Sequence, residues 1–282
     1  MGSAFDRAVG GYRQGMTPLA AIVFAGVPVA AATGIAPPVD QPIRFTIEEV
    51  RTENGVTHRF FAHRVVTFHV TPDGFEADMV TTAASADPPD LAATLFLATM
   101  GPIGQQPIRF RLDRLGHVTA IADQAPLWAT ITGAIAHAAQ THGAGTAGVQ
   151  NGAAIAGALA AMPAPAVTKL LSISAENLVV DRAGIAVLGS RALTVPTSMP
   201  GGGHMALSGV ETVTISGDRA TLAATAAGDA QEPSAKHIDY GLTRVVDRST
   251  GLLVSLTEKR DITVRANGAT STTTAQLTIT RE

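Results

Sequence analysis

The histidines are the first residues whose chemistry would be informative, eight of them in a chain of 282 residues with no cysteine. His58, His63 and His69 share one alternating segment, with His63 and His69 on its polar face beside Arg59 and Thr67 and His58 on its apolar face. At about 3.3 Å per residue, His63 and His69 stand roughly 20 Å apart, too far to share one metal ion. His137 and His142 are five apart in a helical pattern and point in different directions. All of these read as surface or capping side chains, and no metal site is expected. No G-x-S-x-G, S-x-x-K or H-E-x-x-H motif occurs, so nothing anchors a nucleophile or a catalytic base. Gly201-Gly202-Gly203 follows Met199-Pro200 and does not link a strand to a helix, so it reads as a loop rather than a phosphate cradle. The chain is read as a non-enzyme with no cofactor.

A second set of polar residues lies where the alternation calls for apolar ones: Glu49, His58 and Arg64 near the start, Arg244, Glu258 and Arg260 near the end. A lone charge is costly to bury, so each must be paired, stand at a wet strand end, or border a cavity. Strand registers place Tyr240 opposite Glu258, Arg260 opposite Ile238 and Arg244 opposite Val254. Arg64, Arg244, Glu258 and Tyr240 are the candidate ligand-binding residues, polar groups that would orient a ligand in a mostly apolar cleft.

The elements that must position them are strands. Ile43, Phe45 and Ile47 sit at odd positions and Phe60, Ala62, Val66, Phe68 and Val70 at even ones, with Asn54-Gly55 between. A two-residue turn at Asn-Gly pairs Glu53 with Val56, hence Ile47 with Ala62 and Ile43 with Val66, and both apolar sets then share a face. Thr71-Pro72-Asp73-Gly74 turns the chain again and sets Phe68 against Ala77 and Val66 against Met79. Residues 41–84 thus read as a three-stranded meander. A second meander follows Ile238–Val246, Leu252–Leu256 and, past Asn267-Gly268, Ala275–Ile279, with Val246 set against Leu252. Glu211–Ala226 adds a hairpin about Gly217-Asp218. Gln-Pro-Ile-Arg-Phe occurs at 41–45 and 106–110. An Asp-Arg-turn-Gly pattern occurs at Asp113–Gly116, Asp181–Gly184 and Asp247–Gly251, and is read as a hairpin turn closed by the Asp side chain.

Between the meanders the chain turns helical. Pro88-Pro89-Asp90 opens a helix that ends near Gly101-Pro102, and the uncharged, Ala-rich stretch from Gln124 to Thr168 reads as two or three further helices with a Gly-rich break at 143–152. Alanine favours helix but offers little contact area, so these helices are expected to lie on a sheet face.

At the N-terminus, Leu19–Ala32 is an apolar run preceded by Arg7 and Arg13 and ending in Ala30-Ala31-Ala32, the three parts of a cleaved secretory signal. Gly26 and Pro28 count against a regular helix there. The expectation is therefore a signal peptide at 1–32, a linker at 33–40, and one α+β domain at 41–282: a curved antiparallel sheet with meanders at both ends of the chain, packed on an Ala-rich helical insertion about 88–171. Export without cysteine points to a periplasmic or secreted bacterial protein. The absence of cysteine excludes disulfides, thiolate metal sites and a lipidated anchor, and a net charge of -3 offers no attraction to nucleic acid.

This order of elements, an exported chain whose antiparallel sheet is split by an Ala-rich helical insertion, resembles the LolA- and LppX-like periplasmic lipoprotein-carrier half-barrels over Gln41–Arg281. The resemblance implies a curved sheet covered by helices, whose apolar concavity holds lipid or acyl chains. It carries over no individual binding residue, and the lipobox cysteine of the lipoprotein members is missing. The reading is thus an envelope protein that binds a hydrophobic ligand such as lipid, without a stable transmembrane span after signal cleavage. The alternative is a structural or assembly protein that acts through contacts with another envelope protein.

Overall fold

The computed structural model describes residues 34–53, 55–142, 156–198, 204–230, 235–266 and 269–282. They belong to one unit, Ala31–Glu282. The expected signal peptide 1–32, Asn54, the Gly-rich break, Gly201–Gly203 and the Asn267-Gly268 dipeptide lie outside the described residues, as do the side chains of His142 and His204.

The fold is α+β and mostly sheet: an open antiparallel sheet of 11 strands. In chain order these are β1 (Pro42–Glu53), β2 (Val56–Thr71), β3 (Gly74–Asp87), β4 (Ile108–Asp113), β5 (Val118–Ile121), β6 (Gly189–Ser198), β7 (His204–Ser216), β8 (Arg219–Ala230), β9 (Ala235–Asp247), β10 (Leu253–Ala266) and β11 (Ala269–Arg281). The chief helices among the described residues are α1 (Leu91–Gln105), α2 (Gln124–His142) and α3 (Ala164–Glu176), and residues 156–160 are also helical. The spatial order is β5-β4-β3-β2-β1-β11-β10-β9-β8-β7-β6. Both expected meanders are present, and pairing of β1 with β11 joins them into one sheet.

The first meander has the register the turns dictate: Glu53 faces Val56, Ile47 faces Ala62, Phe68 faces Ala77 and Val66 faces Met79. In the second, Val246 faces Leu253 rather than Leu252, and a bulge between Leu253 and Ser255 shifts the remainder. Arg260 therefore faces Tyr240, Glu258 faces Leu242 and Arg244 faces Leu256, which corrects all three expected pairings by two residues. The cause lies in the turn, where the Asp247 carboxylate accepts from the Ser249 and Thr250 amides and Gly251 adopts φ 75°, so the ladder restarts one residue late. A two-residue slip preserves side-chain parity, so the faces are those expected.

Asp90 caps α1, accepting from the Ala93 amide at 3.0 Å. The helix runs on through Pro102 to Gln105, past the expected end. The interval 88–171 also carries β4 and β5, which extend the sheet. The principal buried cluster unites Phe45, Val66, Phe68, Met79, Phe110, Leu256 and Ile279 of the sheet with Ile103 of α1, Ile131 and Ile135 of α2 and Ala175 of α3. No helix among the described residues is long and apolar enough to cross a membrane.

The three Asp-Arg turns meet on the segment Gly34–Ala36. Asp181 Oδ1 accepts from the Gly34 amide at 2.7 Å, and Arg182 Nε donates to the Gly34 carbonyl at 2.7 Å. The Ile35 amide donates to Arg114 O, and the Ala36 amide donates to Thr250 O. Ile35 is 5% exposed, and side chains built at Gly116 or Gly251 would press on its Cγ2 at 3.1 and 3.2 Å. Two of the turns close hairpins, as expected. The third, Asp181–Gly184, lies between α3 and β6 rather than between two strands; its carboxylate accepts from the Ala183 amide of its own turn and also from the Gly34 amide, so the segment expected to be a linker is tied down.

Candidate functional site

Successive strands place four of the six unexpected polar residues, Glu49, His58, Glu258 and Arg260, in two rows on the apolar face of the sheet. One row crosses Phe60, Glu49, Leu277, Glu258, Leu242, Ala224, Glu211 and Arg191 from β2 to β6; the next crosses His58, Arg51, Ala275, Arg260, Tyr240 and Ala226. On β11, in the middle of the sheet, the residues are short. Thr273 and Ala275 therefore form the floor of a groove of ≈ 380 Å³ whose walls are Glu49, Arg51 and Glu53 on one side and Glu258, Arg260 and Ile262 on the other.

The two walls match. Arg51 Nε donates to Glu49 Oε1 at 2.6 Å, and its guanidinium carbon lies 5.8 Å from the centroid of Phe60. Across the floor, Arg260 Nε donates to Glu258 Oε1 at 2.8 Å, and its guanidinium carbon lies 5.6 Å from the centroid of Tyr240. Each guanidinium is thus held by a carboxylate two residues away on its own strand and an aromatic ring on the neighbouring strand, which fixes long side chains that would otherwise sweep the groove. Beyond Phe60, His58 Nε2 joins Asp90 Oδ2 at 2.6 Å and Phe60 packs on Phe96, tying β2 to the start of α1. Burial works to raise the Asp90 carboxyl, but the Ala93 amide and His58 outweigh it and hold the carboxyl below its ordinary value.

Of the four residues singled out from sequence, three come together. Glu258 lines the groove, and Tyr240 stacks on Arg260. Arg244, one row away between Leu256 and Leu222, donates from Nη2 to Asn177 Oδ1 at 3.3 Å while its Nε is enclosed with no hydrogen-bond partner among the described residues. Burial lowers the Arg244 guanidinium, and Tyr240, Glu258 and Glu211 partly restore it. Burial raises the Tyr240 hydroxyl, and Glu258 adds to the rise. Arg64 stands apart on β2, four strands from β9, facing Phe45 and Thr81. Reasoning from sequence missed Arg51, Glu53, Thr273 and Ala275 as groove residues; only the β1–β11 pairing, which has no local signal, brings them together.

A second depression of ≈ 510 Å³ lies over Gly241, with Val210, Thr225, Lys259 and Asp261 in its lining. His63 and His69 each pair with carboxylates, His63 with Glu282 and His69 with Asp40. Among the described residues no three His, Asp or Glu side chains gather as a metal site requires. Compared by sequence, the chain matches no family model and no curated protein.

Proposed function

We propose that this chain is an exported, periplasmic or secreted bacterial envelope protein that holds a hydrophobic ligand such as lipid against the apolar face of its sheet, without catalysing a reaction. The groove over Thr273 and Ala275 carries this reading: Leu277, Ala275 and Ile262 offer apolar surface, and Arg51 and Arg260, locked by Glu49 and Glu258, offer fixed polar groups to orient what lies there. Its volume falls in the range of small-molecule sites.

The half-barrel form of the reading has its own support. The Ile35 and Ala36 amides, adjacent in the chain, reach the β4–β5 turn and the β9–β10 turn. In the sheet order β4 and β10 are five strands apart, about 24 Å if the sheet were flat. Curvature that brings these ends together would make the apolar face concave, with the helical insertion covering part of it. A second reading, assembly through protein contacts, is favoured by Leu170 and Ile173 on α3 and Val187 and Leu188 just before β6, all exposed.

Native mass spectrometry of the purified protein, with solvent extraction of any bound lipid, tests the first reading. The expected result is an added mass that Ala275→Trp, which fills the groove floor, abolishes without unfolding the chain. Protein that is repeatedly empty, and that takes up no added lipid, overturns it.

A further inference from the structure

Arg64 lies on the apolar face of β2, between Phe45 of β1 and Thr81 of β3. Its Nε and the Thr81 Oγ1 are both enclosed, and neither has a hydrogen-bond partner among the described residues. Arg64 and Thr81 face each other directly, at the point where a bulge in the β2–β3 ladder between His63 and Arg64 interrupts the register. In an antiparallel pair this places the two side chains on the same face about 5 Å apart at their origins. The α1 helix closes down on the same spot, since a side chain built at Gly104 would meet the Thr81 carbonyl at 3.0 Å.

The other guanidiniums of this face show what is missing. Arg51, Arg260, Arg191 and Arg281 each bond a carboxylate, and Arg244 has Asn177 with Glu258 and Glu211 in its field. Among the described residues no charge offsets the burial that lowers the Arg64 guanidinium to about 10, so the side chain, half-buried as a whole with its Nε enclosed, remains a cation at neutral pH. Folding a cation into such a place is costly unless an anion joins it. A buried hydroxyl without a partner adds a second penalty at the same place.

We propose that Arg64 and Thr81 together form an oxyanion subsite, a place for a carboxylate or phosphate group that accepts from the Arg64 guanidinium and the Thr81 hydroxyl. The oxygens of either group suit both donors, and a guanidinium fork matches their geometry. The subsite does not depend on the groove. A free anion and the head of an anionic amphiphile present the same chemistry to it, and the amphiphile alternative alone rests on the ligand reading above.

The test is calorimetric titration of the whole protein with inorganic phosphate, dodecanoate and dodecanol, for the native chain and for Arg64→Met, Arg64→Lys and Thr81→Val. At least one of phosphate and dodecanoate is expected to bind native protein, with affinity at least tenfold lower in Arg64→Met and severalfold lower in Thr81→Val, while Arg64→Lys retains part of it. Binding of both identifies a free oxyanion site, and binding of dodecanoate alone identifies the head of an amphiphile. Dodecanol affinity stays unchanged in all variants. Failure of both anions, or equal anion affinity in native protein and Arg64→Met, overturns the subsite; dodecanol that still binds then leaves the groove reading intact, and dodecanol that also fails counts against both. Urea unfolding in chloride buffer gives a second reading that needs no ligand. Arg64→Met is expected to be at least as stable as native protein there, and a clear loss of stability would show that the chain itself satisfies the guanidinium.

Discussion

Replacing Ile35 by alanine probes how the segment 34–36 ties the β4–β5 turn to the β9–β10 turn. Ile35 is 5% exposed and rests against Gly116 and Gly251, positions where a side chain would come within 3.1 and 3.2 Å of its Cγ2. Backbone lines the space it fills, so the site collapses poorly on truncation, and the cost falls near the middle of the range for Ile→Ala, about 3 kcal/mol. At an m-value of about 3 kcal/mol per molar, this moves the urea midpoint down by about 1 M, read by far-ultraviolet circular dichroism. Asp181→Ala removes the acceptor of the Gly34 amide at 2.7 Å and of the Ala183 amide at 3.1 Å, at about 1–3 kcal/mol. Both substitutions release one strap. The double variant is therefore expected to lose about 1 kcal/mol less than the sum of the two single losses. A midpoint shift below about 0.3 M for Ile35→Ala, or strict additivity in the cycle, would refute a strap that acts as one unit.

Two further substitutions bear on strands β7 and β9 of the sheet. A side chain at Gly209 would lie 1.9 Å from the Thr225 carbonyl, so Gly209→Ala must spread the β7–β8 pair and should cost about 1–3 kcal/mol in urea unfolding; a neutral result would mean these strands are loosely held. The imidazole of His237 is raised above its ordinary value, first by its bond to Asp229 and then by Asp239. A raised value in the folded state means stabilisation that is complete below the unfolded value of about 6.5 and disappears as pH climbs through the folded value. The native chain should thus exceed His237→Gln in stability at pH 5.5 and converge with it by about pH 9, and a pH-independent difference would contradict the assignment.

Local pattern was enough for much of the fold. The first meander could be read residue by residue because its two tight turns leave no slack between alternating runs, and Ile47 does face Ala62 as Phe68 faces Ala77. The second meander was readable only as to face. Its turn is closed by the Asp247 carboxylate on the Ser249 and Thr250 amides, and the bulge that follows moves Tyr240 from Glu258 to Arg260. The helix at Pro88–Asp90 was marked by its cap, whereas its end was not, because Pro102 is carried within the last turns. The Asp-Arg turns were visible as repeats, but nothing in their sequence shows that three of them grip one distant segment.

The sequence by itself determined which residues share a face, where the tight turns fall, and that a few charged side chains stand among apolar ones. Those properties depend on neighbours a few residues away. Only the tertiary structure decided which strands lie side by side, because any alternating strand can offer its ladder to any other. Pairing the first strand with the last set Glu49 and Arg51 across β11 from Glu258 and Arg260 and made a groove from both ends of the chain. The same pairing separated two kinds of arginine that look alike in sequence: Arg260, which finds a carboxylate and a ring, and Arg64, which faces Phe45 and Thr81 and whose Nε, like the Thr81 hydroxyl, has no partner among the described residues.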